Sequence, residues 1–238
     1  HISELLDAVV KHLPKGETAA PENQEIKIAI VGRPNVGKSS LLNHLLGEER
    51  MVVDDIPGTT RDVIDTVLQR SGQFYRVLDT AGIRRRGKRE RVERFSIQAS
   101  EQAIARSDVC LLLLDATEGI HKQDAHIAGF IRDAGKGVLL LWNKWDLMQG
   151  REKNEALFEE AGKGALDFLA YAPQLFISAK TGEGCGRLWE SINRLHQECG
   201  VKLKTSRLNE AFEKLLDHHN PPVYAGKQVK FFYLTQVK

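Results

Sequence analysis

Residues 32–40 read Gly-Arg-Pro-Asn-Val-Gly-Lys-Ser-Ser (GRPNVGKSS), a G-x-x-x-x-G-K-S string set between an apolar run, Ile26 to Val31, and a helical pattern, Leu41, Leu42, Leu45 and Leu46. A strand feeding such a loop and a helix leaving it bring backbone N–H groups and a positive helix end to one point, where anionic phosphate oxygens bind. Gly32 and Gly37 let the chain turn those N–H groups inward, which a Cβ would obstruct. Gly32, Arg33, Pro34, Asn35, Val36, Gly37, Lys38, Ser39 and Ser40 are therefore expected to form a nucleotide-phosphate loop. Lys38 would bring a point charge to the β- and γ-phosphates, and Ser39 a hydroxyl to Mg²⁺.

Outward from this loop the pattern alternates strand and helix. Apolar runs at Ile26 to Val31, Phe74 to Leu78, Val109 to Leu114, Val138 to Trp142 and Leu175 to Ile177 are separated by helical stretches. That alternation predicts a parallel sheet covered on both faces. Asp62 to Gln69 alternates apolar and polar residues, and Ser71-Gly72 then turns directly into Phe74, which predicts a hairpin and an antiparallel edge strand. The expected fold is α/β: a P-loop domain whose mostly parallel six-stranded sheet has one antiparallel edge strand and helices on both faces. Ligands of such sheets bind at the carboxyl ends of the strands.

The remaining motifs lie at those ends. Gly47 to Thr60 contains VVDDIPGTTRD, where Thr59 or Thr60 can reach a metal at a γ-phosphate. After the third strand come Asp79, Thr80, Ala81 and Gly82: the carboxylate can hold Mg²⁺ through its water shell, and the Gly82 N–H can approach the γ-phosphate. Asn143, Lys144, Trp145 and Asp146 close the fifth strand. A carboxylate at Asp146 accepts from the ring N–H and exocyclic amine of guanine, while adenine offers no matching donor pair; Asn143 is expected to address the O6 and N7 side. At the end of the sixth strand, Ser178, Ala179 and Lys180 place a backbone N–H where it can donate to the guanine O6.

Composition narrows the class. The chain has 238 residues, a formal net charge of +2 and 28% charged residues, so its bulk balance announces neither a nucleic-acid nor a membrane partner. Arg84 to Arg91, RRRGKRER, is the most basic run; it reads equally as a contact for RNA phosphates or as a solvated loop. Cys110, Cys185 and Cys199 have no metal-type spacing and are odd in number, which suits a reducing cytosol. No apolar run approaches the ~18 residues of a bilayer span, and no membrane partner is expected.

At the start, Ile2, Leu5, Leu6, Val9, Val10 and Leu13 fall at helical spacing before the polar, proline-containing stretch Pro14 to Glu25. Residues 1–25 are read as the last helix of a preceding domain and a linker, with 26–200 as the nucleotide domain. In 201–238, Leu208, Phe212, Leu215 and Leu216 predict a helix and Val229 to Val237 a strand, the beginning of an incomplete domain.

Taken together, GRPNVGKSS, PGTTRD, DTAGI, NKWD and SAK resemble the translation-factor-like GTPases and, within that class, the second G domain of the bacterial tandem GTPases of the Der/EngA family. The leading helix looks like the end of that family's first G domain, and RLNEAFEKLL…HNPPVYAGKQVKFFYLTQV looks like the opening of its KH-like domain. The resemblance implies a cytoplasmic, monomeric protein that binds GTP and GDP with Mg²⁺, held by Ser39, Thr60 and Asp79. It implies GTP hydrolysis as a switch in assembly of the large (50S) ribosomal subunit, with that subunit or rRNA as partner. Ile83 stands where many small GTPases carry a water-orienting Gln. In relatives with such a hydrophobic replacement, an Asn of the phosphate loop coordinates K⁺; Asn35 matches that position, and Thr59 with the carbonyls of Asp54 and Ile56 would complete the shell. Lys38, Thr60, Asp79, Gly82 and Asn35 are thus the expected catalytic set. Two other readings stay open: a tRNA-modification GTPase of the TrmE group, and an RNA-binding module that nucleotide merely stabilises.

Overall fold

The computed structural model describes residues 25–47, 65–80, 93–149, 154–218, 223–224, 227–228 and 230–236. The chain divides into two compact units, the first ending at His196 and the second spanning Gln197–Lys238.

In the first unit the elements run β1 (Glu25–Val31), α1 (Lys38–Gly47), β2 (Thr66–Arg70), β3 (Gln73–Leu78), α2 (Glu93–Arg106), β4 (Val109–Asp115), α3 (Lys122–Asp133), β5 (Gly137–Asn143), α4 (Glu155–Ala165), β6 (Gln174–Phe176) and all but the last three residues of α5 (Leu188–Cys199). The strands form one sheet in the order β2-β3-β1-β4-β5-β6. All neighbours are parallel except β2 and β3, as the alternation predicts. The edge strand pairs Thr66 with Val77 and Arg70 with Gln73, so Ser71 and Gly72 form the two-residue turn. Their φ values of 49° and 83° are those of the turn whose twist matches a hairpin. Residues 62–64 of the expected edge strand lie outside the described residues.

Burial on both faces explains why the central strands read as unbroken apolar runs. Along β4, Val109, Leu111 and Leu113 point into a core shared with Leu41 and Leu45 of α1 and Ile192 and Leu195 of α5. Cys110, Leu112 and Leu114 point to the other face, with Ile104 of α2 and Ile127 and Ile131 of α3. The Cys110 thiol is fully buried, and burial pushes its pKa up to about 11. It is a core residue.

The second unit contains α6 (Thr205–His218) and a two-stranded ribbon, β7 (Val223–Tyr224) and β8 (Lys227–Gln228). The helix was predicted. The strand expected over Val229 to Val237 is not found among its described residues, 230–236. A strand is defined by a ladder, and here the backbone partner is a side chain: the Asn209 amide accepts from the Leu234 N–H at 2.7 Å and donates to the Leu234 carbonyl at 2.8 Å. Phe231 packs edge-on against Phe212 of α6 at 5.3 Å. The leading helix and linker predicted for residues 1–25 lie outside the described residues except for Glu25, which opens β1 rather than closing a linker.

Candidate functional site

The loop between β1 and α1 has the backbone its glycines predict. Gly32 and Gly37 have φ of 147° and 103°, and Asn35 has 64°, a left-handed conformation that Asn tolerates better than most side chains. A Cβ on Gly32 would lie 2.6 Å from the Leu113 carbonyl oxygen, and one on Gly37 would lie 2.1 Å from Asn143 Nδ2. Lys38 is buried and arches back over the loop, its Nζ donating to the carbonyls of Gly32 at 2.6 Å and Arg33 at 2.5 Å. Asn35, Ser39 and Ser40 are exposed at the mouth, as is Pro34. Val36 is a core residue, and only its backbone belongs to the site.

Across the carboxyl ends of β5 and β6, Asn143 ties the site together. It is 2% exposed. Its Nδ2 donates to the Val36 carbonyl at 2.7 Å and its Oδ1 accepts from the Ala179 N–H at 2.9 Å. In this geometry each end of the amide braces one loop against another, while a second Nδ2 donor and the residue's place in the cleft lining leave it able to address a base. Trp145, next but one in the chain, turns its ring into the core. Its ring is buried against Phe158 at 5.2 Å and Phe176 at 4.6 Å, so it anchors the short 3-10 turn Trp145–Leu147 rather than facing a ligand. Thr80 also turns inward, its hydroxyl 2.9 Å from that of Thr66. Ser178 is buried, and its Oγ accepts from the Thr181 N–H at 3.1 Å.

What remains converges. A cleft of about 210 Å³ is lined by Asn35, Gly37 and Ser40 of the phosphate loop, by Asn143, Lys144, Asp146 and Leu147, and by Ser178, Ala179 and Lys180. Leu147, 59% exposed, gives this polar rim an apolar wall that sequence reading did not anticipate. Asp79 stands at the end of β3 with φ 53°, and its N–H donates to Asp65 Oδ1 at 3.1 Å. Asp65, also unforeseen, holds Arg106 of α2 through its other oxygen at 2.5 Å. Thr59, Thr60, Ala81, Gly82 and Ile83 lie outside the described residues, as do Asp54, Ile56 and the basic run.

Beneath the loops lies a charged cluster that the motifs did not signal. Asp115, at the end of β4 and buried, bonds to Lys144 Nζ through Oδ2. Its Oδ1 accepts from the Thr117 N–H at 3.0 Å and hydroxyl at 2.6 Å. Burial pushes the Asp115 carboxyl up, but the Lys144 and Thr117 donors outweigh it and hold the pKa below the ordinary value. Arg33 is clasped by acids, with Nη1 2.8 Å from Glu118 and Nε 3.3 Å from Asp124. Burial raises the Asp124 pKa against the opposing effects of the His121 N–H and Arg33.

Among the described residues no group of three or more His, Cys, Asp or Glu gathers that could hold a metal ion by itself. No helix among them is long and apolar enough to cross a membrane.

Gly37 is where this geometry is most exacting. Gly37→Ala puts a methyl into a buried, committed amide and strains a positive φ, so it is expected to cost ~2–4 kcal/mol of stability. Gly47→Ala, with open space at its Cβ, is expected to be neutral or slightly stabilising. Urea unfolding of the two variants checks this, and equal midpoints would contradict it.

Comparison with known proteins gives the same picture. Residues 27–144 match the family model described as 50S ribosome-binding GTPase, and residues 202–238 match that described as KH-domain-like of EngA bacterial GTPase enzymes, C-terminal. GTPase Der of Caldanaerobacter subterraneus subsp. tengcongensis is 45% identical over 99% of this chain and 54% of its own length. The chain thus spans about half the length of the curated relatives it matches. Among solved structures, Era in complex with MgGDPNP and a segment of 16S ribosomal RNA is 28% identical with a TM-score of 0.55, over 72% of this chain and 57% of that one. A variant of Era from Aquifex aeolicus bound to GDP and AlF₄⁻ is 27% identical with a TM-score of 0.54, over 72% and 57%. With a six-stranded, mostly parallel sheet and relatives that align with this chain from end to end, the chain belongs to the Der/EngA family of GTPases.

Proposed function

We propose that residues 26–200 form a G domain that binds GTP and hydrolyses it to GDP and phosphate, and that 201–238 open a KH-like domain. The observation that carries this reading is the shared cleft, which sets the phosphate loop opposite Asp146 and the 178–180 triplet. Transfer of a phosphoryl group to water needs positioning and charge neutralisation rather than a covalent residue. Lys38, already held across the loop mouth, exchanges carbonyl oxygens for phosphate oxygens. Loop N–H groups take the remaining phosphate charge. Asp146 accepts from the guanine ring N–H and amine, and a base carbonyl takes the Lys180 N–H, or that of Ala179 in exchange for Asn143. Ser39 and Thr60 would hold Mg²⁺, with Asp79 at its water shell; the ion supplies charge that offsets that building on the phosphate oxygens.

With Ile83 following the D-T-A-G segment, no side-chain amide there orients the water. Asn35, exposed in a left-handed bend at the cleft, is the group we assign to K⁺, with Thr59. The partner that suits the matched family description is the large ribosomal subunit or its RNA, with the chain acting as a monomeric cytoplasmic switch. The TrmE-type reading is not favoured, because it is the EngA KH-like model that matches the tail.

Multiple-turnover phosphate release from GTP tests the proposal. Turnover in K⁺ is expected to exceed that in Na⁺ by about tenfold or more, a modest share of the ~10³–10⁵ an arginine finger supplies. Equal rates in the two salts would remove the K⁺ assignment. Binding of GDP with no turnover in either salt, with or without ribosomal subunits, would favour the nucleotide-stabilised RNA-binding module.

A further inference from the structure

The buried carboxylate of Asp115 belongs to no motif, yet it sits between the two halves of the cleft. One oxygen holds Lys144 Nζ and lies 4.0 Å from Arg33 Nη2; the other takes both donors of Thr117. Lys144 lines the cleft, its backbone is in the left-handed region at φ 66°, and its side chain is 30% exposed. A four-carbon stem tethered at its ammonium loses its freedom to swing, and the stem becomes a fixed wall of the cleft. Arg33 is pinned in the same cluster by Glu118 and Asp124, so the acids set one residue of each loop. Both Asp115 and Asp124 are almost wholly inaccessible, where a charge is held only by close partners.

We propose that Asp115 is a positioning residue for guanine-nucleotide binding, fixing the Lys144 stem as the face on which the base rests and sharing Arg33 with the phosphate loop. This rests on the reading of the cleft as a guanine-nucleotide site. Asp115 touches neither base nor phosphate; it acts through Lys144. The base edge is read by Asp146, so removing the Asp115 charge weakens affinity without changing which base is chosen.

The test uses the whole chain and a fluorescent GDP analogue, titrated into wild type, Asp115→Asn, Lys144→Met and the double variant. Asp115→Asn is expected to raise Kd on the order of 10-fold, the scale of a lost charged hydrogen bond. The double variant should bind no more weakly than the weaker single variant, and the ratio of GDP to XDP affinity in Asp115→Asn should equal that of wild type. Additive losses, or a ratio that falls with affinity, would mean that the substitution merely loosens the fold, and would overturn the proposal. Thr117→Val removes one donor to Asp115 at an exposed position and leaves no cation unpaired; a loss of about 2- to 5-fold is expected. Wild-type affinity in Thr117→Val overturns the proposal even if Asp115→Asn does not fold. If wild type itself fails to bind the GDP analogue, the nucleotide reading falls and takes this one with it. If wild type binds and Asp115→Asn binds equally well, this one falls alone.

Discussion

Lys38→Ala is expected to abolish measurable GDP and GTP binding, with affinity falling on the order of 10²- to 10³-fold or more. Charged hydrogen bonds are worth ~1.5–3 kcal/mol each, and an ammonium facing phosphates makes more than one. In the folded chain the same ammonium donates to Gly32 and Arg33 carbonyls, so the substitution also removes a clip across the loop. The two effects separate. Without nucleotide, the loss of those bonds is offset by no longer holding a buried cation, so the thermal midpoint should move little. With excess GDP, wild type should gain stability by mass action and the variant should not. Calorimetric titration together with melting in the presence and absence of GDP reads both, and near wild-type affinity in the variant would refute the assignment of the loop.

How much of this was legible in the chain depends on whether a role is carried locally or across space. Gly32 to Ser40, Asp146 and the 178–180 triplet are contiguous strings at the ends of apolar runs, and a parallel sheet gathers such ends whatever the details of packing. The Ser71-Gly72 turn was equally local. Trp145 was not: in the string NKWD it is indistinguishable from its neighbours, and only Phe158 and Phe176, remote in sequence, draw its ring into the core. Asn143 illustrates the same point from the other side, since its partners at Val36 and Ala179 are distant in the chain. Asp115 and Asp65 carry no spacing signal at all. The strand-end rule applied to the other motifs would nonetheless have flagged Asp115, an acid that ends seven fully buried residues of β4. The strand expected over Val229 to Val237 failed because a run of apolar and aromatic residues such as Phe231 to Leu234 marks only a preference for extended backbone, while a ladder needs a backbone partner.

Asp146→Asn should convert the site from guanosine to xanthosine nucleotides. Its carboxylate offers acceptors only, which suits guanine's adjacent ring N–H and exocyclic amine. An amide offers one acceptor and a pair of donors, so one N–H would face the guanine amine, donor against donor; xanthine carries a carbonyl at that point and restores the match. Loss of two charged hydrogen bonds predicts a fall in GDP affinity on the order of 10²- to 10⁴-fold, and specificity of this size is what a site gains by leaving its buried donors and acceptors unpaired with the wrong ligand. The substitution is clean because the turn does not depend on the side chain. Trp145 holds it through its ring and through its backbone N–H, which donates to the Ile177 carbonyl at 3.1 Å, and the Leu147 N–H closes onto the Lys144 carbonyl at 3.0 Å. Asp146 itself is half-buried at the cleft. Competition between GDP and XDP against a fluorescent nucleotide decides it. An inverted preference places the base edge at Asp146. A uniform loss for both nucleotides would instead mean that the turn, and not the carboxylate, had been reading the base.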